Sequence, residues 1–367
     1  MRTPETPVNT SRETLPFEQP YAGRRVLVTG HTGFTGGWLC SWLDLLGARV
    51  AGLGLSPLTD RNLFETLNIA ERVSSHMGNI NHPETVNRLF ESEKPEIVFH
   101  LAAQPIVSEG YSDPYNTFMT NVIGTLNVLE AARNCAATRA VVCVTTDKVY
   151  ENREWCYGYR EHDRLGGKDP YSASKAGSEV VIATYQQTMA ARGNDVAIAS
   201  ARGGNIIGGG DWSPNRIVPD FARALEADAP LVLRNPSATR PWQHVLALVH
   251  GYLVLAERLL ADRGAVGAWN FGPEDEGNQP VSALVEALGR HWRPARLEYG
   301  TGAFPEAHFL HLSSQKAKSG LGWKPPLSFD ETVRLTGEWY AAHQAGSSDM
   351  KALTDRQISR YRALLGI

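Results

Sequence analysis

Residues 26–36 read Val-Leu-Val-Thr-Gly-His-Thr-Gly-Phe-Thr-Gly. A β-branched apolar run breaks here into spaced glycines, and the next segment, 38–43, is mostly apolar again. This pattern predicts a buried strand, a tight turn and a helix. Glycines at 30, 33 and 36 let backbone N–H groups approach a diphosphate at the helix N-terminus, where the helix dipole favours negative charge. A purely structural turn is the alternative, and the position between strand and helix favours nucleotide binding instead.

Strand and helix patterns alternate outward from this turn as far as about residue 205. We predict strands over 26–29, 49–55, 97–102, 140–145 and 196–201, and helices over 36–46, 83–93, 114–134 and 171–192. Their order indicates an α/β protein with a Rossmann-type, doubly wound parallel sheet that is covered by helices on both faces. Ligands of such sheets bind past the carboxyl ends of the strands, where Gly30 and residues 102–104, 146–148 and 202–205 fall.

The pattern changes after residue 205, where loops dense in Gly, Pro, Arg and Trp separate helices predicted over 219–227, 245–262 and 281–292. We interpret residues 1–20 as a mobile N-terminal arm and 21–205 as the nucleotide-binding domain. Residues 206–345 then form mainly a smaller α/β substrate-binding lobe with segments that cross back, and 346–367 form a C-terminal tail. The boundary between domain and lobe is a natural place for a substrate cleft.

Composition excludes several classes of function. The 367 residues carry a net charge of −3, so no broad basic surface predicts nucleic acid or an anionic membrane as a partner. Neither a membrane span nor a signal peptide is evident, which predicts a soluble cytoplasmic protein. The four cysteines form no CxxC pair, and we expect neither disulfides nor a metal site.

Two further motifs bear reactive groups. Thr146-Asp147-Lys148 ends a buried apolar run, and Tyr171 is followed four positions later by Lys175. Positions i and i+4 share one face of a helix, so the lysine can act on the phenol. Together these residues supply a hydroxyl, a carboxyl group, a phenol and two amines, which suits the transfer of protons and a hydride. The alternatives are an ordinary aromatic residue in a first helical turn and a solvated charge at Lys148.

These motifs, in this order, resemble the extended short-chain dehydrogenase/reductases, and within them the nucleotide-sugar 4,6-dehydratases. The resemblance covers roughly residues 22–345. Besides the glycine turn and the two reactive motifs, its specific pieces are His-Leu-Ala-Ala-Gln-Pro at 100–105, Asn-Arg-Glu-Trp at 152–155, Gly-Gly-Gly-Asp-Trp at 208–212 and Arg-Pro-Trp-Gln-His at 240–244. The wider family usually has Asp-Glu where this chain has Asp147-Lys148. The lysine is typical of the branch that acts on CDP-glucose.

The resemblance implies conversion of CDP-glucose to a 4-keto-6-deoxy sugar, with NAD carrying a hydride from C4 to C6. Tyr171 would take the proton of the 4-hydroxyl, with its pKa lowered by Lys175 and by oxidised nicotinamide, while Thr146 holds the same hydroxyl. Asp147 would be the acid that protonates the departing 6-hydroxyl, and Lys148 would be the base at C5. Asp147 must then be neutral and Lys148 transiently unprotonated, and burial together with the charge of Lys175 favours the second condition.

The family also implies which residues bind ligands and how the chain assembles. The residues implied in cofactor binding are Gly30, Thr32, Gly33, Phe34, Gly36, Asn79, Ile80, Leu101, Ala102, Ala103, Gln104, Tyr171 and Lys175. For the diphosphate sugar, the implied residues are Asn205, Arg216, Arg234 and Arg240, with arginine preferred for its bidentate fork. Pairing of the helices at 114–134 and 171–192 implies a homodimer or a higher homo-oligomer.

Several alternatives stay open at this stage. The end of the second strand reads Gly54-Leu55-Ser56 and lacks the acidic residue that often binds the adenosine ribose. This segment therefore does not distinguish NAD from NADP as the cofactor. Asn79-Ile80 also stands where the family usually has an acid against adenine. Another 4,6-dehydratase, acting on GDP-mannose or dTDP-glucose, has the same motifs. A nucleotide-sugar 4-epimerase does not need Asp147 and Lys148, and a non-catalytic binding protein does not need Tyr171 and Lys175.

Overall fold

The structure is a computed structural model that describes residues 20–191, 196–300 and 309–367. Apart from Pro20, the N-terminal arm predicted over 1–20 therefore lies outside the described residues. In chain order the strands are β1 (Arg25–Thr29), β2 (Arg49–Gly54), β3 (Ser74–Met77), β4 (Ile97–His100), β5 (Ala140–Thr146), β6 (Ala197–Gly203), β7 (Ile206–Ile207), β8 (Leu231–Leu233), β9 (Thr239–Pro241), β10 (Gln243–His244), β11 (Gly267–Phe271), β12 (Asn278–Pro280) and β13 (Leu297–Tyr299).

The α-helices of the same part of the chain are α1 (Phe34–Leu45), α2 (Leu63–Thr66), α3 (Ile69–Arg72), α4 (Pro83–Glu93), α5 (Val107–Ser112), α6 (Pro114–Phe118), α7 (Gly124–Asn134), α8 (Pro170–Ala191), α9 (Ile217–Glu226), α10 (Val245–Ala261), α11 (Val281–His291), α12 (Gln315–Leu321), α13 (Phe329–Gln344) and α14 (Met350–Leu365). One π-helical turn, Met119–Ile123, joins α6 to α7. The helix predicted over 114–134 is therefore present with a widened turn in its middle.

Seven strands form one parallel sheet in the order β11-β6-β5-β4-β1-β2-β3. The predicted doubly wound parallel sheet is confirmed. The chain proceeds outward from β1 to β3 in one direction and from β4 to β11 in the other. The carboxyl ends of β1 and β4 therefore flank the crevice where such sheets bind ligands.

Apolar residues alternate between the two faces of this sheet. Val26 and Val28 of β1 belong to a core shared with α1 and α10, whereas Leu27 belongs to the opposite core, which α4, α7 and α8 cover. Strands buried on both faces need this near-continuous apolar sequence, which is why β1, β4 and β5 were readable from the residues alone.

Sequence reasoning missed strand β3 at the edge of the sheet, where Ser-Ser-His is polar and the last residue, Met77, is an exposed apolar side chain. It also missed β11, which extends the large sheet beside β6 although it lies within 206–345. The other short strands of that range pair two by two: β7 with β10, β8 with β13, and β9 with β12.

The C-terminal residues return to the nucleotide-binding half of the molecule. Helix α14 packs against α1, with the rings of Trp42 and Tyr361 5.6 Å apart. Asp355 of α14 also forms a 3.0 Å ion pair with the buried side chain of Arg72. Across 20–191, 196–300 and 309–367, no helix combines the length and apolar character needed to cross a bilayer.

Candidate active site

The turn between β1 and α1 requires glycine at two positions. Gly30 has a φ of +79°, and its N–H donates to the carbonyl of Leu53 at 2.7 Å. A Cβ on Gly30 would stand 2.8 Å from the backbone nitrogen of Ala102, and a Cβ on Gly36 would stand 2.1 Å from the carbonyl oxygen of Gly30. Both distances are below van der Waals contact, so only glycine lets the turn fold back onto the edge of the sheet.

The N-terminus of α1 has donors free for an anion. Gly33 is the N-cap of this 12-residue helix and has no side chain to accept hydrogen bonds from the first turn, which begins at Phe34. The uncapped N–H groups and the positive end of the helix dipole fit a diphosphate. The predicted residues Thr32, Gly33 and Phe34 therefore surround a turn with the chemistry that a dinucleotide needs.

The two residues predicted to face the adenine have different environments. The side-chain oxygen of Asn79 accepts a 2.9 Å hydrogen bond from the N–H of Asn81, which holds the turn after β3. The side chain of Ile80 is buried in the core and lies against Gly124, where an added Cβ would meet it at 2.5 Å. Of this pair, only Asn79 has a polar side chain, which is half-buried.

Residues 101–104 follow β4 and are held at the same edge. The N–H groups of Leu101 and Ala102 donate to the carbonyl and hydroxyl oxygens of Thr29, both at 3.1 Å. The side chain of Gln104 donates to Thr117 at 2.8 Å and accepts from the N–H of Ile106 at 2.5 Å. Gln104 therefore shapes its own loop, and a contact from it to a cofactor stays a prediction.

Asn121, which sequence reasoning missed, connects this loop to α8 from within the π-helical turn. Its side chain accepts from the N–H of Gln104 at 2.9 Å and donates to the hydroxyl of Ser174 at 2.8 Å. Its carbonyl oxygen accepts from Thr125 at 2.7 Å and from Ser178 at 2.6 Å. The sequence signal was weak: a polar pair, Asn121 and Thr125, spaced four residues apart.

The candidate catalytic turn lies at the carboxyl end of β5, where Asp147–Val149 form one turn of 3-10 helix. The hydroxyl of Thr146 donates to Oδ1 of Asp147 at 3.0 Å and accepts from the N–H of Lys148 at 3.3 Å. Thr146 and Asp147 are 9% and 2% exposed. Burial raises the pKa of Asp147, which favours the neutral acid, while Lys148, Thr146 and Arg240 oppose that shift.

Tyr171, in the first turn of α8, packs directly against this turn. The Nζ atom of Lys148 lies 5.9 Å from the centroid of its ring, and the hydroxyl of Thr146 lies close enough to its phenol to lower its pKa. Burial raises the pKa of Tyr171 to about 12, while Thr146 and Arg216 act to lower it. The predicted Thr146, Asp147, Lys148 and Tyr171 therefore form one cluster.

Lys175 lies one helical turn after Tyr171 on α8. Its Nζ atom donates to the carbonyl of Val144, on β5, at 2.9 Å. Burial lowers the pKa of Lys175 to about 8, a shift that Glu179 opposes. The groups that act to lower the pKa of Tyr171 include Thr146 and Arg216, and the influence expected of Lys175 on that phenol stays a prediction.

A buried ion pair behind Lys175 was also missed. Glu179 accepts from Arg202 of β6 at 2.7 Å, and both side chains are at most 5% exposed. The same carboxylate accepts from Thr145 at 2.5 Å and from Ser200 at 2.8 Å. This network joins β5, β6 and α8, and it lies one helical turn beyond Lys175.

Two of the predicted substrate residues lie beside the catalytic cluster. Arg216 forms a 2.9 Å ion pair with Asp211 and lies close enough to Tyr171 to lower its pKa. Arg240, on β9, lies close enough to Asp147 to lower the pKa of that carboxyl group.

The other two predicted substrate residues follow strands β6 and β8. Asn205 accepts through its carbonyl from the N–H of Gln243 at 3.2 Å. Arg234 has an exposed side chain just after β8. Among the residues that the structure describes, no group of three His, Cys, Asp or Glu side chains is arranged to hold a metal ion.

Comparison with known proteins identifies nucleotide-sugar 4,6-dehydratases as relatives of this chain. A family model described as "GDP-mannose 4,6 dehydratase" matches residues 27–266. The chain is 41% identical over 348 residues to a CDP-glucose 4,6-dehydratase of Salmonella typhimurium, an alignment covering 93% of this chain and 97% of that protein.

The fold is also similar to that of solved proteins. For UDP-glucose 4-epimerase of Thermus thermophilus in complex with NAD, the TM-score is 0.74 at 25% identity, covering 88% of this chain and 99% of that one. For dTDP-glucose 4,6-dehydratase of Bacillus anthracis in complex with NAD, it is 0.74 at 21% identity, covering 90% and 100%.

Proposed function

Because the chain belongs to the family described as GDP-mannose 4,6 dehydratase, within the extended short-chain dehydrogenase/reductases, we propose that it is a CDP-glucose 4,6-dehydratase. It converts CDP-D-glucose to CDP-4-keto-6-deoxy-D-glucose and water, with no net use of reductant. The observation that carries this proposal is the turn Thr146-Asp147-Lys148 packed against Tyr171. Only a dehydration needs an acid and a second base at this place.

NAD is the cofactor, and it supplies a hydride acceptor for C4 and then, in reduced form, a hydride donor for C6. The glycine turn and the uncapped start of α1 would hold its diphosphate. Asn79 and residues 101–104 border the same crevice at the ends of β3 and β4. Lys175 and Tyr171 line its far end, on the first two turns of α8.

Tyr171 removes the proton from the 4-hydroxyl of the sugar. A phenol whose pKa is raised to about 12 by burial is a poor base at neutral pH, so the cluster must stabilise the phenolate. Arg216 does so through its positive charge, and Thr146 also acts to lower this pKa.

Asp147 and Lys148 perform the elimination. A ketone at C4 acidifies the C5 proton, which the amine of Lys148 removes, while the neutral carboxyl group of Asp147 gives its proton to the departing 6-hydroxyl. Burial raises the pKa of Asp147 and keeps this proton available. The ammonium of Lys148 then returns its proton to C5 as C6 is reduced.

The nucleotide diphosphate is bound from the substrate side of the cleft. Arg216 and Arg240, which lie beside Tyr171 and Asp147, are placed to bind the diphosphate nearest the sugar. Arg234 and Asn205 complete this set. Residues 21–205 accordingly bind the cofactor and 206–345 mainly the substrate.

The assembly is a homodimer through the helices α6, α7 and α8. These helices and the π-helical turn between α6 and α7 expose apolar side chains: Tyr115 is 77% exposed, Phe118 41%, Ile123 36% and Val180 61%. Apolar groups gathered on one helical surface favour a protein partner over water. We place the dimer in the cytoplasm, where the four free thiols stay reduced.

The function is tested by incubating the purified protein with NAD and, in parallel, CDP-glucose, dTDP-glucose, UDP-glucose and GDP-mannose. Mass spectrometry follows the loss of one water. Dehydration of CDP-glucose in preference to the others is expected. Dehydration of another sugar would overturn the substrate assignment, and interconversion without loss of water would indicate an epimerase.

A further inference from the structure

A buried hydrogen-bond network, made of Thr29, His100, Thr125 and Asn121, crosses the carboxyl ends of β1 and β4. Nδ1 of His100 lies 2.7 Å from the hydroxyl oxygen of Thr29, and Nε2 lies 3.0 Å from that of Thr125. The hydroxyl of Thr125 donates to the carbonyl of Asn121 at 2.7 Å, and the hydroxyl of Thr29 accepts from the N–H of Ala102 at 3.1 Å. The four residues of this His100 network are at most 3% exposed, so a lost hydrogen bond leaves a polar group without water.

The donors in the His100 network fix the protonation of the imidazole. Because the hydroxyl of Thr125 gives its one hydrogen to Asn121, its oxygen can only accept from His100, and Nε2 must carry the proton. Nδ1 is then the acceptor for the hydroxyl of Thr29, whose oxygen still accepts from Ala102. Burial lowers the pKa of His100 to about 3, which agrees with a neutral ring.

One end of the His100 network holds the loop of residues 101–104, where the proposed function places NAD. The N–H of Leu101 donates to the carbonyl of Thr29, and the N–H of Ala102 donates to its hydroxyl, both at 3.1 Å. A Cβ added to Gly30 would stand 2.8 Å from the nitrogen of Ala102, so this loop and the glycine turn approach closely. A shift of Thr29 therefore moves the surface against which NAD would lie.

The other end of the His100 network reaches α8. The side chain of Asn121 donates to the hydroxyl of Ser174 at 2.8 Å, and that hydroxyl donates to the carbonyl of Tyr171 at 2.7 Å. The carbonyl of Asn121, which accepts from Thr125, also accepts from the hydroxyl of Ser178 at 2.6 Å. Asn121 therefore contacts two successive turns of α8 and, through Ser174, the backbone of Tyr171.

We propose that His100 is a positioning residue that couples cofactor binding to the placement of Tyr171, a role that rests on the proposed function. The neutral imidazole offers one acceptor and one donor on a rigid ring, and it bridges Thr29, on β1, and Thr125, on α7. No proton is transferred, because the hydrogen bonds only hold the loop and the helix in one arrangement. A displacement at one end of the network therefore changes the other.

The test uses Thr125→Val, which keeps the shape of the side chain and breaks the network on the side away from the cofactor, and His100→Phe, which removes both ring nitrogens. His100→Gln keeps a donor and an acceptor and should recover most of the loss. The matched control is His250→Phe, at another buried imidazole, whose ring packs against Trp42 and Tyr361. Calorimetric titration measures NAD affinity, urea unfolding measures stability, and steady-state kinetics with CDP-glucose give kcat and KM at saturating NAD.

Thr125→Val and His100→Phe should each weaken NAD binding by about 5- to 10-fold, the usual effect of losing a buried hydrogen bond. Each should also lower kcat with little change in the KM for CDP-glucose. Combined, the two changes should cost no more than His100→Phe alone, because they break the same network. His250→Phe should change stability only. If His100→Phe does not fold, Thr125→Val carries the same test.

Nitrogen NMR of the protein without NAD should show His100 as the Nε2–H tautomer. An Nδ1–H tautomer would overturn the coupling. So would additive losses in the double variant, or variants at both positions that lose stability yet bind NAD and turn over as wild type does. Failure of wild type to bind NAD or to dehydrate CDP-glucose would instead overturn the proposed function, and the coupling with it.

Discussion

The ammonium nitrogen of Lys148 lies 5.9 Å from the centroid of the Tyr171 ring. Two bases of different chemistry therefore stand side by side at the end of β5 and the start of α8. One is a phenol for the proton on O4, and the other is an amine for the proton on the neighbouring C5. A sugar that offers these two protons in sequence would not need to move between the steps.

Replacing Lys148 with methionine should separate oxidation from elimination. Without the base at C5, the rate of dehydration should fall about 10²–10⁴-fold, the usual contribution of a positioned base. Oxidation at C4 depends on Tyr171 and should persist, so reduced cofactor should accumulate and be visible by its absorbance. Lys324→Met, at an exposed lysine, is the control and should behave as wild type. Full dehydration by the Lys148 variant would contradict this role.

Replacing Glu179 with glutamine should destabilise the fold more than it disturbs substrate binding. The change leaves Arg202 buried without its counter-charge, which typically costs about 3–5 kcal/mol. Urea unfolding measures the loss.

The matched control is Glu286→Gln, which breaks the exposed 3.1 Å pair with Arg290 and should cost less than about 1 kcal/mol. Equal effects of the two substitutions would show that the buried pair contributes nothing particular to stability.

Stability should fall on mild acidification because four imidazoles are buried and neutral. Burial lowers the pKa of His31 and His250 to about 4 and of His100 and His244 to about 3. In the unfolded chain the pKa of histidine is about 6.5. At pH values between this pKa and the lowered pKa values of the folded protein, the unfolded state therefore binds more protons than the folded state. The free energy of unfolding then drops as pH falls below about 6.5, by about 1.4 kcal/mol per pH unit for each imidazole.

Urea unfolding at about pH 7.5 and about pH 5.5 checks this sign. His250→Asn removes one titrating group and should reduce the difference accordingly. An unchanged or higher stability at the lower pH would contradict the buried, neutral state of these side chains.

Replacing Gly36 with alanine should weaken NAD binding and the fold together. The new Cβ would lie 2.1 Å from the carbonyl oxygen of Gly30, so the turn must shift, at about 1–3 kcal/mol for overpacking. Calorimetric titration with NAD and urea unfolding measure the two effects. Gly337→Ala is the control, because its Cβ would meet His291 at an ordinary 3.4 Å within a helix. Unchanged NAD affinity in Gly36→Ala would show that this turn does not hold the cofactor.

Much of the fold was readable from local pattern. Buried strands of a parallel sheet must be apolar on both faces, so β1, β4 and β5 could be predicted from their apolar sequences. The spacing of the glycines predicted the turn before α1. The edge strand β3 escaped because its four residues are polar or exposed and receive support from only one neighbour, β2.

The candidate site was predicted as a set of groups but not as a geometry. Thr146, Asp147 and Lys148 are adjacent in sequence, so their clustering followed from position alone. The pairing of Glu179 with Arg202 joins a helix to a strand, and the turn of Lys175 toward Val144 depends on side-chain packing. Neither leaves a periodic signal in the sequence, which is why the sequence alone predicted neither contact.

The measurement that tests the central claim most directly uses CDP-glucose that carries deuterium at C4. Internal transfer predicts a product that has lost one water and holds the deuterium in the C6 methyl group, whatever the solvent. Mass spectrometry of the product and of its fragments locates the label. Deuterium left at C4 of an unchanged or epimerised sugar, or a dehydrated product without the label, would contradict a 4,6-dehydratase working through Tyr171, Asp147 and Lys148.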